Sequence, residues 1–179
     1  GFRRGELVGL HWDDIDFKNY KISINRSAYY LSGQPTSEKS PKTDLSVRTI
    51  VVPGICFDLL KQCRCEQSKM RLALGKSWNG AENVFTTADG RIMNPATGPK
   101  WFSSFLARNG FPHIRFHDLR HTFATLLISG NVDVKTVSHK LGHASTDTTL
   151  KFYVHDLEST DRASAELLEN MLISNVSIK

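Results

Sequence analysis

The hydrophobic period changes once along this chain, from two residues near its start to three or four for the rest, and does not change back. Residues 20–31 alternate and are rich in Ile and Tyr, and residues 45–52 are β-branched and closed by Pro53, with Gly33, Pro35 and Pro41 in the stretch between. A period of two is the pattern of half-buried strands, so this region reads as a small antiparallel hairpin or sheet. From residue 56 onward the apolar positions recur at helical spacing, over 56–74, 100–108, 117–129, 133–141, 145–154 and 159–173. A turn-rich connection over 78–99, around Asp89-Gly90 and Asn94-Pro95, interrupts the series. At the front, Glu6, Leu7, Leu10 and Trp12 sit at helical spacing before Asp13-Asp14 break it, so the chain opens inside or at the end of a helix. The expected fold is α+β, mostly helical with a small antiparallel sheet near the N-terminus, in one domain over residues 1–179 whose last part, 156–179, is a tail and helix.

Composition narrows the partners. With 40% hydrophobic residues the chain is too apolar for intrinsic disorder. No apolar run approaches the roughly 18 residues of a membrane span, and no signal-peptide core follows Gly1-Phe2-Arg3-Arg4. Cys56, Cys63 and Cys65 are odd in number and form neither a disulfide framework nor a CxxC knuckle, which reads as reduced, partly buried thiols of a cytoplasmic protein. The net charge of +5 favours polyanions, and its distribution is uneven. Lys and Arg dominate residues 100–121, whereas between Asp156 and Glu169 the acids Asp156, Glu158, Asp161, Glu166 and Glu169 face Arg162 alone.

The densest group of chemically active side chains is His117-Asp118-Leu119-Arg120-His121. On a helix over 117–129, Leu119, Phe123, Leu126 and Leu127 form the expected core stripe, and His117, Arg120, His121 and Ala124 lie on a neighbouring face. A histidine and an arginine one turn apart then project together. The HxxxH pairs His117/His121 and His139/His143 have metal-ligand spacing, so a zinc site is a second reading; Asp118 in place of the Glu of HExxH, the cation Arg120, and Gly142 before His143 weigh against it. Gly142 reads as a helix C-cap that fixes His143 just beyond it. Further on, Thr149, Leu150 and Tyr153 share one helical side, and Tyr153 is open as packing, as an exposed phenol or as a nucleophile.

Taken in order, Gly1-Phe2-Arg3-Arg4-Gly5-Glu6-Leu7, Pro41-Lys42-Thr43, the HxxR box His117 to Arg120, Leu141-Gly142-His143 and Thr148-Thr149-Leu150-Lys151-Phe152-Tyr153 resemble the catalytic domain of the tyrosine recombinases, or phage integrases. The resemblance implies that Arg3 and Arg120 clamp a scissile phosphate, Lys42 reaches toward the leaving group, His117 assists proton transfer, His143 donates to a phosphoryl oxygen and Tyr153 attacks. These roles agree with phosphodiester chemistry: two guanidinium forks stabilise the charge on the non-bridging oxygens with no cofactor and no metal. A phenol with a pKa near 10 needs a base and a cationic field to act at neutral pH. The implied product is a 3′-phosphotyrosyl link and a free 5′-hydroxyl, with double-stranded DNA as partner and a homo-tetramer on DNA joined through the helix over 159–173.

Relative to the family pattern the chain starts two residues before Arg3, so it reads as a fragment without the first catalytic-domain helices and without a core-binding domain. Lys39 competes with Lys42, and Pro41-Lys42-Thr43 before the strand favours Lys42. The expected activity is strand breakage and rejoining as the integrase of a bacterial mobile element or phage; a chromosome-dimer resolvase of the same family and a non-catalytic DNA-binding module are the alternatives.

Overall fold

The computed structural model describes residues 1–40, 47–143, 145 and 146. It opens with a short helix, α1 (Arg4–Val8), followed by a 3₁₀ turn at Trp12–Asp14 and five short strands: β1 (Ile15–Asp16), β2 (Lys21–Ile24), β3 (Ser27–Tyr29), β4 (Ser37–Lys39) and β5 (Arg48–Val51). Helices α2 (Gly54–Leu74), α3 (Thr97–Arg108), α4 (Asp118–Ser129) and α5 (Val134–Leu141) follow. The mostly helical α+β architecture is therefore as expected. Among the described residues no helix is long and apolar enough to cross a membrane.

Of the two expected forms, hairpin or sheet, the strand region takes the sheet, with a separate pair of strands beside it. β1, β2 and β5 form one antiparallel sheet in the order β1-β2-β5, with Ile22 opposite Ile50 and Ile24 opposite Arg48, while β3 and β4 pair separately. The alternating run over 20–31 breaks at Asn25-Arg26 because Asp14 draws both side chains aside: Asn25 Nδ2 donates to Asp14 Oδ1 at 2.9 Å and Arg26 Nη1 to Asp14 Oδ2 at 2.7 Å. The strand that follows the break is thus free to pair with β4 instead.

Two apolar clusters hold the described residues together. Leu10, Ile15, Ile22, Phe57 and Val84 form the first, where β1 and β2 meet α2 and the 78–99 connection, and Phe17 and Tyr20 set their rings edge-on against Phe57. The helix α2 lends it one stripe, with Phe57 fully buried and Leu60 and Cys63 packed beside it. Ala124, Val137 and Leu141 form the second cluster, between α4 and α5.

The stripe expected for α4 is partly overturned. Phe123 and Leu127 pack against the second cluster, but Leu119 is exposed and Leu126 is 68% exposed, while Ala124 and Arg120 are buried. The helix is rotated toward its small residue, since Ala124 lets Val137 and Leu141 approach closely. Arg120 follows inward because carbonyl groups wait for it there.

Candidate active site

Asp133 caps the start of α5, its carboxylate accepting from the amide of Thr136 at 2.9 Å, as Asp does at a helix N-terminus. The helix ends on Gly142 at φ 67° and ψ 46°, the left-handed conformation that glycine takes without strain. The Gly142 amide donates to His139 O at 3.0 Å and the His143 amide to Ser138 O at 3.1 Å, the paired bonds of a Schellman end. That motif leaves the last carbonyls, those of Lys140, Leu141 and Gly142, to find donors elsewhere.

Three arginines from three different elements supply them. Arg48 Nε, from β5, donates to Lys140 O at 3.0 Å. Arg120 Nη2, from α4, donates to Leu141 O at 2.7 Å, and its Nη1 to Gly1 O at 2.6 Å. Arg3 Nη2, at the start of α1, donates to Gly142 O at 2.7 Å. Cations are favoured at this end of a helix, where the backbone dipole is negative.

One buried carboxylate ties two of these arginines together. Glu6 accepts from Arg3 Nη1 at 2.7 Å and from the Arg3 amide at 2.9 Å, and on its other side from Arg48 Nη1 at 3.2 Å and Nη2 at 2.9 Å. Burial opposes the charge on Glu6, but the hydrogen bonds from Arg48 and Arg3 outweigh it and hold the carboxyl below its ordinary range. With three guanidinium groups to one carboxylate the cluster is net cationic, the electrostatics of an oxyanion receptor.

His143 stands just past Gly142 at the edge of this cluster. Burial, and then the charges of Arg120, Arg3 and Arg48, push its imidazole down to about 4, so that it is neutral at pH 7 and presents one N–H donor and one acceptor. His117 is exposed, with its ring edge-on to His121 at 5.2 Å between centroids. Burial and the charges of His121 and Arg120 lower its pKa as well.

Of the residues expected from sequence, Arg3, Arg120 and His143 are thus brought together at the end of α5. His117 precedes α4 on its exposed side, and Lys42 and Tyr153 lie outside the described residues, as do most of the helix expected over 145–154 and all of that over 159–173. Lys39 ends β4 with its ammonium 5.2 Å from the centroid of the Tyr29 ring. Among the described residues no group of three or more His, Cys, Asp or Glu side chains could hold a metal ion. Arg48 and Glu6 were not anticipated. Their signals were nonetheless present, since Arg48 shares its strand face with Ile50, and Glu6 stands three residues after Arg3, the reach of a side chain back to a helix start.

The profile described as the phage integrase family matches residues 1–160, which include every described residue of this cluster. The chain is 34% identical over 184 residues to a tyrosine recombinase XerC-like protein of Caldanaerobacter subterraneus subsp. tengcongensis, covering 97% of this chain and 47% of that protein. It is 31% identical to the integrase of Staphylococcus phage L54a, covering 96% and 49%. The chain therefore spans about half the length of these curated relatives. Among solved structures, the Tn1549 transposon integrase in complex with transposon right end DNA superposes with a TM-score of 0.80 at 24% identity, over 93% of this chain and 55% of that one. The XerA recombinase does so with 0.66 at 21% identity, over 90% and 53%, and both likenesses establish the fold. On the strength of the profile match and the relatives, this chain belongs to the phage integrase family, the tyrosine recombinases.

Proposed function

We propose that this chain is the catalytic domain of a site-specific DNA recombinase, the integrase of a phage or mobile element, and that it works as part of a longer protein carrying a core-binding domain. The observation that carries the reading is the convergence of Arg3, Arg120 and His143 on the end of α5, inside the region that matches the family. In the proposed reaction the Tyr153 hydroxyl oxygen attacks the scissile phosphorus, a 3′-phosphotyrosyl bond forms and the bond from phosphorus to the 5′ oxygen breaks. The departing oxygen takes a proton from Lys42. Arg3 and Arg120 orient the phosphate and balance its growing charge, His143 donates to a non-bridging oxygen, and His117 helps move the phenol proton. No step calls on a cofactor or a metal. Double-stranded DNA is the substrate, and residues 159–173 are the segment that joins subunits in a tetramer.

The test is a nicked suicide duplex incubated with the full-length protein, in which a covalent protein–DNA adduct is the expected product. Tyr153→Phe should bind the duplex as the parent does and form no adduct. An adduct that persists in this variant sinks the assignment, and a parent protein that binds without ever forming one is the non-catalytic binding module. Substrates with sulfur at the 5′ leaving position separate the lysines: rescue of Lys42→Ala assigns it the proton, and rescue of Lys39→Ala moves the role there.

A further inference from the structure

Arg48 is the least accessible of the three arginines. Its side chain is 1% exposed, so it is closed to a DNA phosphate, whereas that of Arg3 is 42% exposed. Its guanidinium has bonds in two directions. One edge engages both oxygens of Glu6, the carboxylate that also holds the amide and guanidinium of Arg3, and Nε reaches the carbonyl of Lys140 at the end of α5. The same group lies against Gly142, where a Cβ would stand 2.5 Å from Arg48 Nη1 and 2.8 Å from Cζ. A planar fork of fixed geometry spans such a set of acceptors, and an ammonium does not.

We propose that Arg48 is a positioning residue of the strand-cleavage site, which locks the α1 start that bears Arg3 to the α5 turn that bears His143. Its catalytic consequence rests on the cleavage reading above; the lock itself does not. A buried ion pair is a poor source of stability, because desolvation offsets most of the attraction, while geometric definition is the return it gives here. Displacements of an ångström at a reacting centre cost about a hundredfold in rate.

Two variants of the full-length protein test this. Arg48→Lys keeps a cation but loses the fork, and Glu6→Leu with Arg48→Met removes both charges together, so that neither is stranded if the lysine variant fails to fold. In whichever folds, single-turnover cleavage of the suicide duplex should fall by about tenfold to a hundredfold, with duplex affinity within about twofold of the parent. Amide hydrogen exchange at Gly142 and His143 should rise by about tenfold or more while Val137, inside α5, keeps its protection. Added to Arg3→Ala, Arg48→Lys should cost little further rate, since it acts through Arg3. Exchange that rises evenly along α5, or cleavage unchanged alongside unchanged exchange, overturns the proposal. Should the parent form no adduct, the cleavage reading fails, and exchange alone decides the lock: a rise confined to Gly142 and His143 supports it and an even rise refutes it.

Discussion

Arg3 and Arg120 donate to neighbouring carbonyls, yet they differ in what their removal leaves behind. Each should contribute about a hundredfold to strand cleavage if it supplies a preorganised donor to the transition state. Arg120 is 5% exposed, so Arg120→Ala also strands the buried carbonyl of Leu141 and should cost about 1–3 kcal/mol of stability. Arg3→Ala should cost clearly less, because water reaches its surroundings. Urea denaturation beside single-turnover cleavage separates the two, and equal losses of stability would refute the contrast. At His143 the depressed pKa carries a sign. The unfolded chain takes up the His143 proton near 6.5 and the folded one near 4, so the resulting stabilisation is complete above about 6.5 and declines as pH falls toward 4. Imidazole resonances should titrate near pH 4 in the free protein, and move upward when duplex binding brings phosphates to the cluster. A midpoint that stays near 6.5 contradicts the burial and the cationic surroundings alike. These groups were legible because Arg3, Arg120 and His143 stand in recognisable boxes. Arg48 and Glu6 left only a weak trace, a strand face and a three-residue spacing, because what they hold, Arg3 and the end of α5, is distant in sequence from Arg48 and becomes its neighbour only in the fold.

Helix ends were the most readable elements. Asp133, Gly130 and Gly142 punctuate α4 and α5 where capping chemistry would have them, and the expected and observed bounds there differ by a residue. The face of α4 was less readable, because its stripe of large apolar residues competes with a tighter fit at Ala124. Ala124→Leu should therefore cost about 1–3 kcal/mol by overpacking, and Leu126→Ser at 68% exposure less than about 0.5 kcal/mol; denaturation midpoints in the opposite order would restore the original stripe. Gly142 and Gly33 offer a controlled pair of the same backbone hand, at φ 67° and 77°. Nothing stands within 4 Å of a Cβ at Gly33, so Gly33→Ala should lose only the conformational term, about 1 kcal/mol. Gly142→Ala adds a collision with the Arg48 guanidinium, and should lose more stability together with most of the cleavage activity. Comparable behaviour of the two alanine variants would mean that the guanidinium yields at no cost.

At the scale of the whole molecule, charge divides into an interior and an exterior set that sequence counts alone do not separate. Arg48 is consumed by Glu6 and by the end of α5, and Arg115 is paired with Asp118 at 2.9 Å, whereas Lys100 and Arg108 on α3 are exposed. The basic stretch over 100–121 therefore offers fewer charges to a duplex than its composition suggests. Phosphates neutralised by Lys and Arg release counterions, so affinity should fall with salt at a log–log slope of about −0.9 per contact. Removing an exposed contact, by Lys100→Ala or Arg108→Ala, should flatten the slope by about one unit and weaken all sequences alike, because phosphate contacts position a protein without reading bases. Arg115→Ala should flatten it less, since Asp118 competes for the charge. Residues 1–179 alone should bind weakly and with little sequence preference, touching one side of the duplex. A version ending at residue 156, without the acid-rich tail, should bind no worse, as the removed Glu158, Asp161, Glu166 and Glu169 outnumber Arg162 and Lys179 and oppose a polyanion. Labelled duplex titrated at several salt concentrations against each protein measures all of these. Tight, salt-insensitive, sequence-selective binding by residues 1–179 would refute the electrostatic account, and loss of affinity on removing the tail would place that acidic segment at the DNA after all.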